Sequence, residues 1–122
     1  MKKIVLAEDE PSMRLLIAET LRGNKRYELF LASNGPEALE VVLREQPDLL
    51  LLDIDLPLIN GFEVCQQIKA DPRTQHVPVV MITAMAQDRY RQEAVSLGVV
   101  EYFTKPFSPL ALLRKVEELL DH

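Results

Sequence analysis

The sequence predicts an α/β fold of five strand–helix pairs, (βα)5, a three-layer sandwich with a parallel sheet ordered 2-1-3-4-5 between helices. Three observations predict it. Apolar runs of strand length alternate with longer stretches of helical period. Residues that start and stop helices fall between those runs. The 122 residues suffice for a single domain, residues 1–122, with no room for a second.

The elements follow in order. Ile4 to Ala7 form the first strand, and the apolar run breaks at Glu8-Asp9-Glu10. Pro11 suits the first turn of the first helix, whose Met13, Leu16, Ile17, Thr20 and Leu21 share one face, and Gly23 follows its end. The second strand, Tyr27 to Ala32, alternates around Glu28. Pro36 opens a helix with Ala38, Leu39, Val42 and Leu43 on one face. Leu49 to Leu52 is the third strand, followed by a helix over about Gly61 to Ala70 that stops before Asp71-Pro72. Val79 to Thr83 is the fourth strand, and its helix, about Asp88 to Leu97, stops at Gly98. The fifth strand is Glu101 to Thr104. Ser108-Pro109 then caps a helix with Leu112, Leu113, Val116, Leu119 and Leu120 on its inner side.

Strands covered on both faces are uniformly apolar, which makes the first, third and fourth central and the second and fifth edges. Right-handed crossovers then leave 2-1-3-4-5 as the simplest order, with a reversal between the first and third strands. Ligands of open α/β sheets bind at that reversal, beyond the carboxyl ends of the strands.

Composition narrows the function. Apolar residues make up 48% and charged residues 27%, so the chain can build a core and is not disordered. A net charge of −5 with no basic patch argues against nucleic-acid binding. No apolar run is long enough for a membrane span, and the opening run is too short for a signal peptide, so a cytoplasmic location is expected. Cys65 is the one cysteine and reads as a buried, inert thiol. His76 reads as a solvated loop residue and His122 as a terminal one.

Polar groups converge at the strand ends: Glu8 and Asp9 after the first, Asp53 after the third, Thr83 at the fourth, Lys105-Pro106 after the fifth. Neighbouring strands lie about 4.8 Å apart, so Asp53 falls between the acidic pair and Thr83, and a lysine stem can span the remaining distance. Taken singly, each of these reads as a strand-end cap or turn. Jointly, three carboxylates about 4 Å apart would repel by roughly 4 kcal/mol per pair at an effective dielectric near 20, which calls for a counter-charge. An all-oxygen set suits Mg²⁺, with Mn²⁺ possible, and not zinc.

These residues, together with Asp53-Ile-Asp-Leu-Pro57, Asn60-Gly61, Ile82-Thr-Ala84 and Tyr102-Phe-Thr-Lys-Pro-Phe107, resemble the CheY-like receiver domain of bacterial two-component response regulators. The resemblance covers essentially the whole chain and implies a flavodoxin-like fold. It implies Asp53 as the phosphoacceptor for a phosphohistidine on a sensor histidine kinase or His-phosphotransfer protein. Glu8, Asp9, Asp53 and the backbone carbonyl of Asp55 would be metal ligands. Lys105, Thr83 and Ala84 would stabilise the phosphoryl group, Thr83 and Tyr102 would carry the switch, and the Lys105–Pro106 bond would be cis. The fourth helix, fifth strand and fifth helix would form the surface read by an output partner or domain. Arg14, Leu15 and Ala18, taken as the outward face of the first helix, are candidate kinase-docking residues. Lys105 is expected on a solvent-open rim, where a pair with Asp53 contributes only about 0–1 kcal/mol.

The chain departs from the family pattern at Val99-Val100-Glu101, where a small residue and then acidic ones are usual. That puts in doubt one charge-paired form of a phosphorylation-dependent dimer, and both valines are expected to be buried, with an apolar partner patch as the alternative. Three other readings stand beside the receiver. A haloacid-dehalogenase-type phosphatase would use Asp53-Ile-Asp55, though that motif normally follows the first strand. A flavodoxin would share the fold, but Glu8-Asp9-Glu10 would repel a flavin phosphate. A phosphorylation-independent interaction domain would not need the full acidic, Thr and Lys set.

Overall fold

The computed structural model describes residues 1–121; His122 lies outside the described residues. Its elements are β1 (Lys2–Ala7), α1 (Pro11–Arg22), β2 (Tyr27–Ala32), α2 (Gly35–Glu45), β3 (Leu49–Leu52), α3 (Gly61–Ala70), β4 (Val79–Thr83), α4 (Asp88–Ser96), β5 (Glu101–Thr104) and α5 (Pro109–Leu120). All five strands pair in parallel in the order β2-β1-β3-β4-β5.

The period-2 alternation of the strands sorts the core into two layers. Ile4, Leu6, Leu49, Leu51, Val80 and Ile82 face α1 and α5 and meet Ile17, Leu21, Leu112 and Val116. Val5, Ala7, Leu50, Leu52, Val79 and Met81 face α2, α3 and α4 and meet Ala38, Val42, Val64, Ile68 and Ala94. Cys65 is buried in this second layer, and burial pushes its thiol pKa up.

Side-chain caps set where most helices begin. Asn34, Asn60 and Ser108 accept from the N–H groups of Glu37, Glu63 and Ala111. Glu10 caps α1 with its longer side chain, accepting from the N–H groups of Ser12 and Met13. Gly98 takes φ 82 just beyond α4, a left-handed position where glycine avoids a Cβ penalty.

Three burial expectations are overturned. The buried stripe of α1 is Ile17, Ala18 and Leu21, so Ala18 is in the interior and cannot be a docking residue, while Leu16 is exposed. The helix is rotated so that a small residue can lie close against the sheet, and the bulkier Leu16 is turned outward. On α2, Leu43 is exposed because Val41 takes its place in the core. Val100 is also exposed, lying just before the edge strand β5, and only Val99 packs against the core. His76 is exposed in its loop.

Candidate functional site

Register delivers the acidic residues to one rim. Ala7 pairs with Ala32 and with Leu52, so Glu8 and Asp53 are the next residues out on adjacent strands. Two further hydrogen bonds extend the ladder to them, from Glu8 N–H to the Ala32 carbonyl and from Asp53 N–H to the Ala7 carbonyl, each 3.0 Å. Lys105 N–H donates to the Thr83 carbonyl at 2.7 Å and launches the lysine from the end of β5. The Lys105–Pro106 peptide bond is cis.

The loop after β3 folds back tightly. Gly61 N–H donates to the Ile54 carbonyl at 2.7 Å. A Cβ at Gly61 would lie 2.4 Å from the Asp53 carbonyl oxygen, so only glycine permits this approach. Leu58 sits at the tip of the loop with φ 74, with Ile59 N–H bonded across it to the Pro57 carbonyl at 2.9 Å. That is a strained three-residue turn, and it leaves Leu58 82% exposed.

Lys105 Nζ bridges two carboxylates, donating to Glu8 Oε1 at 2.7 Å and to Asp53 Oδ2 at 2.9 Å. The side chains are 18% exposed for Lys105, 1% for Glu8 and 4% for Asp53, so the pairs are mostly buried and the solvent-open rim expected from sequence is corrected. Burial raises the Glu8 pKa, with the Asp53 charge adding to it and the Lys105 hydrogen bond opposing it. Burial also works against the charge on Lys105, but its hydrogen bonds to Glu8 and Asp53 outweigh this and raise its pKa. The other oxygens have backbone partners: Glu10 N–H on Glu8 Oε2 at 3.1 Å and Asp55 N–H on Asp53 Oδ1 at 3.1 Å.

Asp9 is exposed beside them, and carboxylate oxygens of Glu8, Asp9 and Asp53 lie within 4.8 Å of one another. This all-oxygen set fits a hard divalent cation. Glu8, Asp9, Glu10, Asp53, Asp55, Ala84 and Lys105 line a shallow cavity of about 250 Å³. A larger hollow of about 790 Å³ at the opposite end of the sheet, around Lys2, Lys25 and Arg26, gathers no comparable set of carboxylates.

Thr83 is buried, and its hydroxyl accepts from Met85 N–H at 3.1 Å. Tyr102 is buried too and donates from its hydroxyl to the Met85 carbonyl. Both side chains therefore engage the backbone of one residue in the β4–α4 loop. Arg91 of α4 lies over the Tyr102 ring, 4.7 Å from its centroid.

Sequence reasoning paired Lys105 with Asp53 and missed its bond to Glu8, which the adjacency of β1 and β3 would have suggested. It also missed that the Arg14 guanidinium turns inward, donating to the Glu8 carbonyl at 2.8 Å. Leu15 is exposed on α1 as expected.

A family model for the response regulator receiver domain matches residues 4–117. The chain belongs to that family. Among curated relatives of this receiver domain, the response regulator PleD of Caulobacter vibrioides is 36% identical over 118 residues, covering 88% of this chain and 26% of PleD. The DNA-binding dual master transcriptional regulator RpaA of Synechocystis is 34% identical over 120 residues, covering 98% of this chain and 49% of RpaA. The chain thus spans a quarter to a half of the length of these relatives. Among solved structures, the chemotaxis response regulator CheY4 of Vibrio cholerae superposes with a TM-score of 0.89 at 28% identity, covering 98% of this receiver domain and 99% of CheY4. The receiver domain of the sensor histidine kinase PA1611 of Pseudomonas aeruginosa, solved with a magnesium ion in its active-site cleft, gives 0.88 at 28% identity and covers 99% of this chain and 98% of that one. The flavodoxin-like, CheY-like fold and the place in two-component signalling follow. No helix among the described residues is long and apolar enough to cross a membrane.

Proposed function

We propose that Asp53 is the phosphoacceptor of this receiver domain and that the phosphoryl group comes from a phosphohistidine on a sensor kinase or His-phosphotransfer protein. The observation that carries this reading is the placement of Asp53 at the switch point of the sheet, flanked by Glu8, Asp9 and Lys105. An Asp53 oxygen forms a bond to phosphorus as the phosphorus–nitrogen bond breaks. The imidazole leaves with the electron pair and the product is an acyl phosphate.

Glu8, Asp9, Asp53 and the backbone carbonyl of Asp55 would hold Mg²⁺, or Mn²⁺ in its place. When bound, the ion neutralises charge shared between the carboxylates and the phosphoryl oxygens. Lys105 exchanges its bond to Asp53 for one to the phosphoryl group. The Thr83 hydroxyl and the Ala84 N–H complete the donors around it. Drawing Thr83 toward the phosphoryl group breaks its bond to Met85 N–H, and Met85 also receives the Tyr102 hydroxyl. The change thereby reaches Tyr102 and the surface of α4, β5 and α5, where an output partner, an output domain or a phosphorylation-dependent dimer would read it.

The domain acts in the cytoplasm, apart from membranes and without binding nucleic acid itself, as a single unit over residues 1–122. It is a signalling phosphoacceptor and not a turnover enzyme; steady hydrolysis of a generic phosphomonoester would instead favour a dehalogenase-type phosphatase. Acetyl phosphate with Mg²⁺ should add one phosphoryl group by intact mass, labile to hydroxylamine. Asp53→Asn should abolish it. A label retained in that variant, or found on Ser or His, overturns the assignment.

A further inference from the structure

The three carboxylates of the site are not held equally. Glu8 is tied by Lys105 and by Glu10 N–H, and Asp53 by Lys105 and Asp55 N–H. The Asp9 carboxylate has no hydrogen bond or ion pair among the described residues. Where its oxygens lie therefore depends on the backbone of residues 8–10, which leaves the sheet at Ala7 and turns into α1.

One side chain grips that backbone. Arg14 Nη1 donates to the Glu8 carbonyl at 2.8 Å and, at longer range, to the Asp9 carbonyl at 3.4 Å. Arg14 is half-buried and stands three, four and seven residues before the buried Ile17, Ala18 and Leu21, on the inner side of α1. Its own N–H donates to the Glu10 carbonyl at 2.9 Å, so the turn from residue 8 to residue 14 is closed by both side chain and backbone. One guanidinium nitrogen, Nη1, thus reaches two successive carbonyls, and the planar group that carries it restrains the peptide plane between them.

We propose that Arg14 is a positioning residue for divalent-cation binding and phosphoryl uptake, fixing the Glu8–Asp9 backbone so that the Asp9 carboxylate stays beside Glu8 and Asp53. The proposal rests on reading those three carboxylates as the cation-binding set. It differs in sign from a charge effect, since a cationic Arg14 acting only through its field would repel Mg²⁺ and its removal would tighten binding. It differs also from a docking role, which would leave Mg²⁺ and small phosphodonors unaffected.

The test compares the wild type with Arg14→Met, Arg14→Lys, Asp9→Asn and the control Arg22→Met. Three readouts are followed: Mg²⁺ affinity by titration, the rate of phosphorylation by acetyl phosphate, and amide chemical shifts without metal. Arg14→Met should weaken Mg²⁺ binding by about 10-fold, the scale seen when a group orienting a metal ligand is removed. It should slow acetyl phosphate uptake to match and move the amide signals of residues 8–10 while those of β4 and β5 stay in place. Arg14→Lys keeps the charge and a donor nitrogen but not the planar group that places it, and should recover part of the affinity. Arg22→Met should behave as wild type. Unchanged or tighter Mg²⁺ binding in folded Arg14→Met, with Asp9→Asn still weak, overturns the positioning role and leaves the site intact. Full Mg²⁺ binding in Asp9→Asn as well removes the cation site itself, and the proposal with it.

Discussion

Replacing Lys105 by Met should destabilise the domain by about 2–3 kcal/mol at pH 7. The substitution keeps an unbranched apolar stem and deletes the charge that bridges Glu8 and Asp53 at 2.7 and 2.9 Å. Two carboxylates within 4.8 Å of each other then face one another without it, a repulsion of about 3 kcal/mol at an effective dielectric near 20. Breaking a fully buried pair costs about 3–5 kcal/mol, and the 18% exposure of Lys105 admits water that trims this figure. Urea unfolding measures the loss. Mg²⁺ held as proposed would supply the missing counter-charge, so adding it at millimolar concentration should recover more stability in Lys105→Met than in the wild type. Phosphoryl uptake from acetyl phosphate should be slow even in the recovered protein, because the group proposed to stabilise the transferring oxygens is gone. A melt shifted by less than about 0.5 kcal/mol, the ordinary effect of an exposed substitution, would show that Lys105 sits in water as the sequence alone suggested.

The remaining predictions test separate parts of the molecule. Asp9→Asn should weaken Mg²⁺ binding well beyond any change in Glu117→Gln, and equal affinities in the two would remove Asp9 from the ligand set. Leu58→Asn should stabilise the domain by about 1 kcal/mol, because an exposed leucine at φ 74 carries left-handed strain that asparagine tolerates better. A lower urea midpoint would show that Leu58 packs in a way its exposure denies. Burial and the hydrogen bond to Asp121 push the Tyr27 pKa up to about 12. The neutral phenol is the favoured form, so its contribution to stability is complete below about pH 10 and is lost as pH rises through about 12. In phenolate absorbance, Tyr27→Phe should remove a component that ionises near pH 12, and a difference between the two proteins with no such component would refute this.

The fold was legible because its sheet is buried on both faces. Leu49 to Leu52 and Val79 to Thr83 have no polar residue before their ends, so length and composition alone mark them as central strands. Strand order then placed Glu8, Asp53, Thr83 and Lys105 on one rim without any knowledge of their side chains. What failed was rotation about helix axes. On α1, Leu16 and Ala18 compete for the inward side, and hydrophobicity favours leucine, but the small side chain is the one buried. Helical period gives a stripe; it does not say which edge of the stripe meets the sheet. The same rotation carried Arg14 inward, where a surface role had been expected.

Side-chain pairing failed for a related reason. Lys105 is equally able to reach either carboxylate, and strand spacing alone does not decide between them. In the folded domain Lys105 N–H bonds the Thr83 carbonyl and the side chain reaches across β4 to both, so neither carboxylate is chosen over the other. A lysine shared between two buried acids has a consequence for the switch. Phosphorylation of Asp53 would add negative charge where Lys105 already serves two carboxylates, so moving Lys105 to the phosphoryl group uncovers Glu8. Glu8 would then need a counter-charge of its own, and a divalent cation beside Asp9 would provide one. On the proposed function, metal binding and phosphorylation would therefore be coupled through Glu8 as well as through Asp53, and each should strengthen the other.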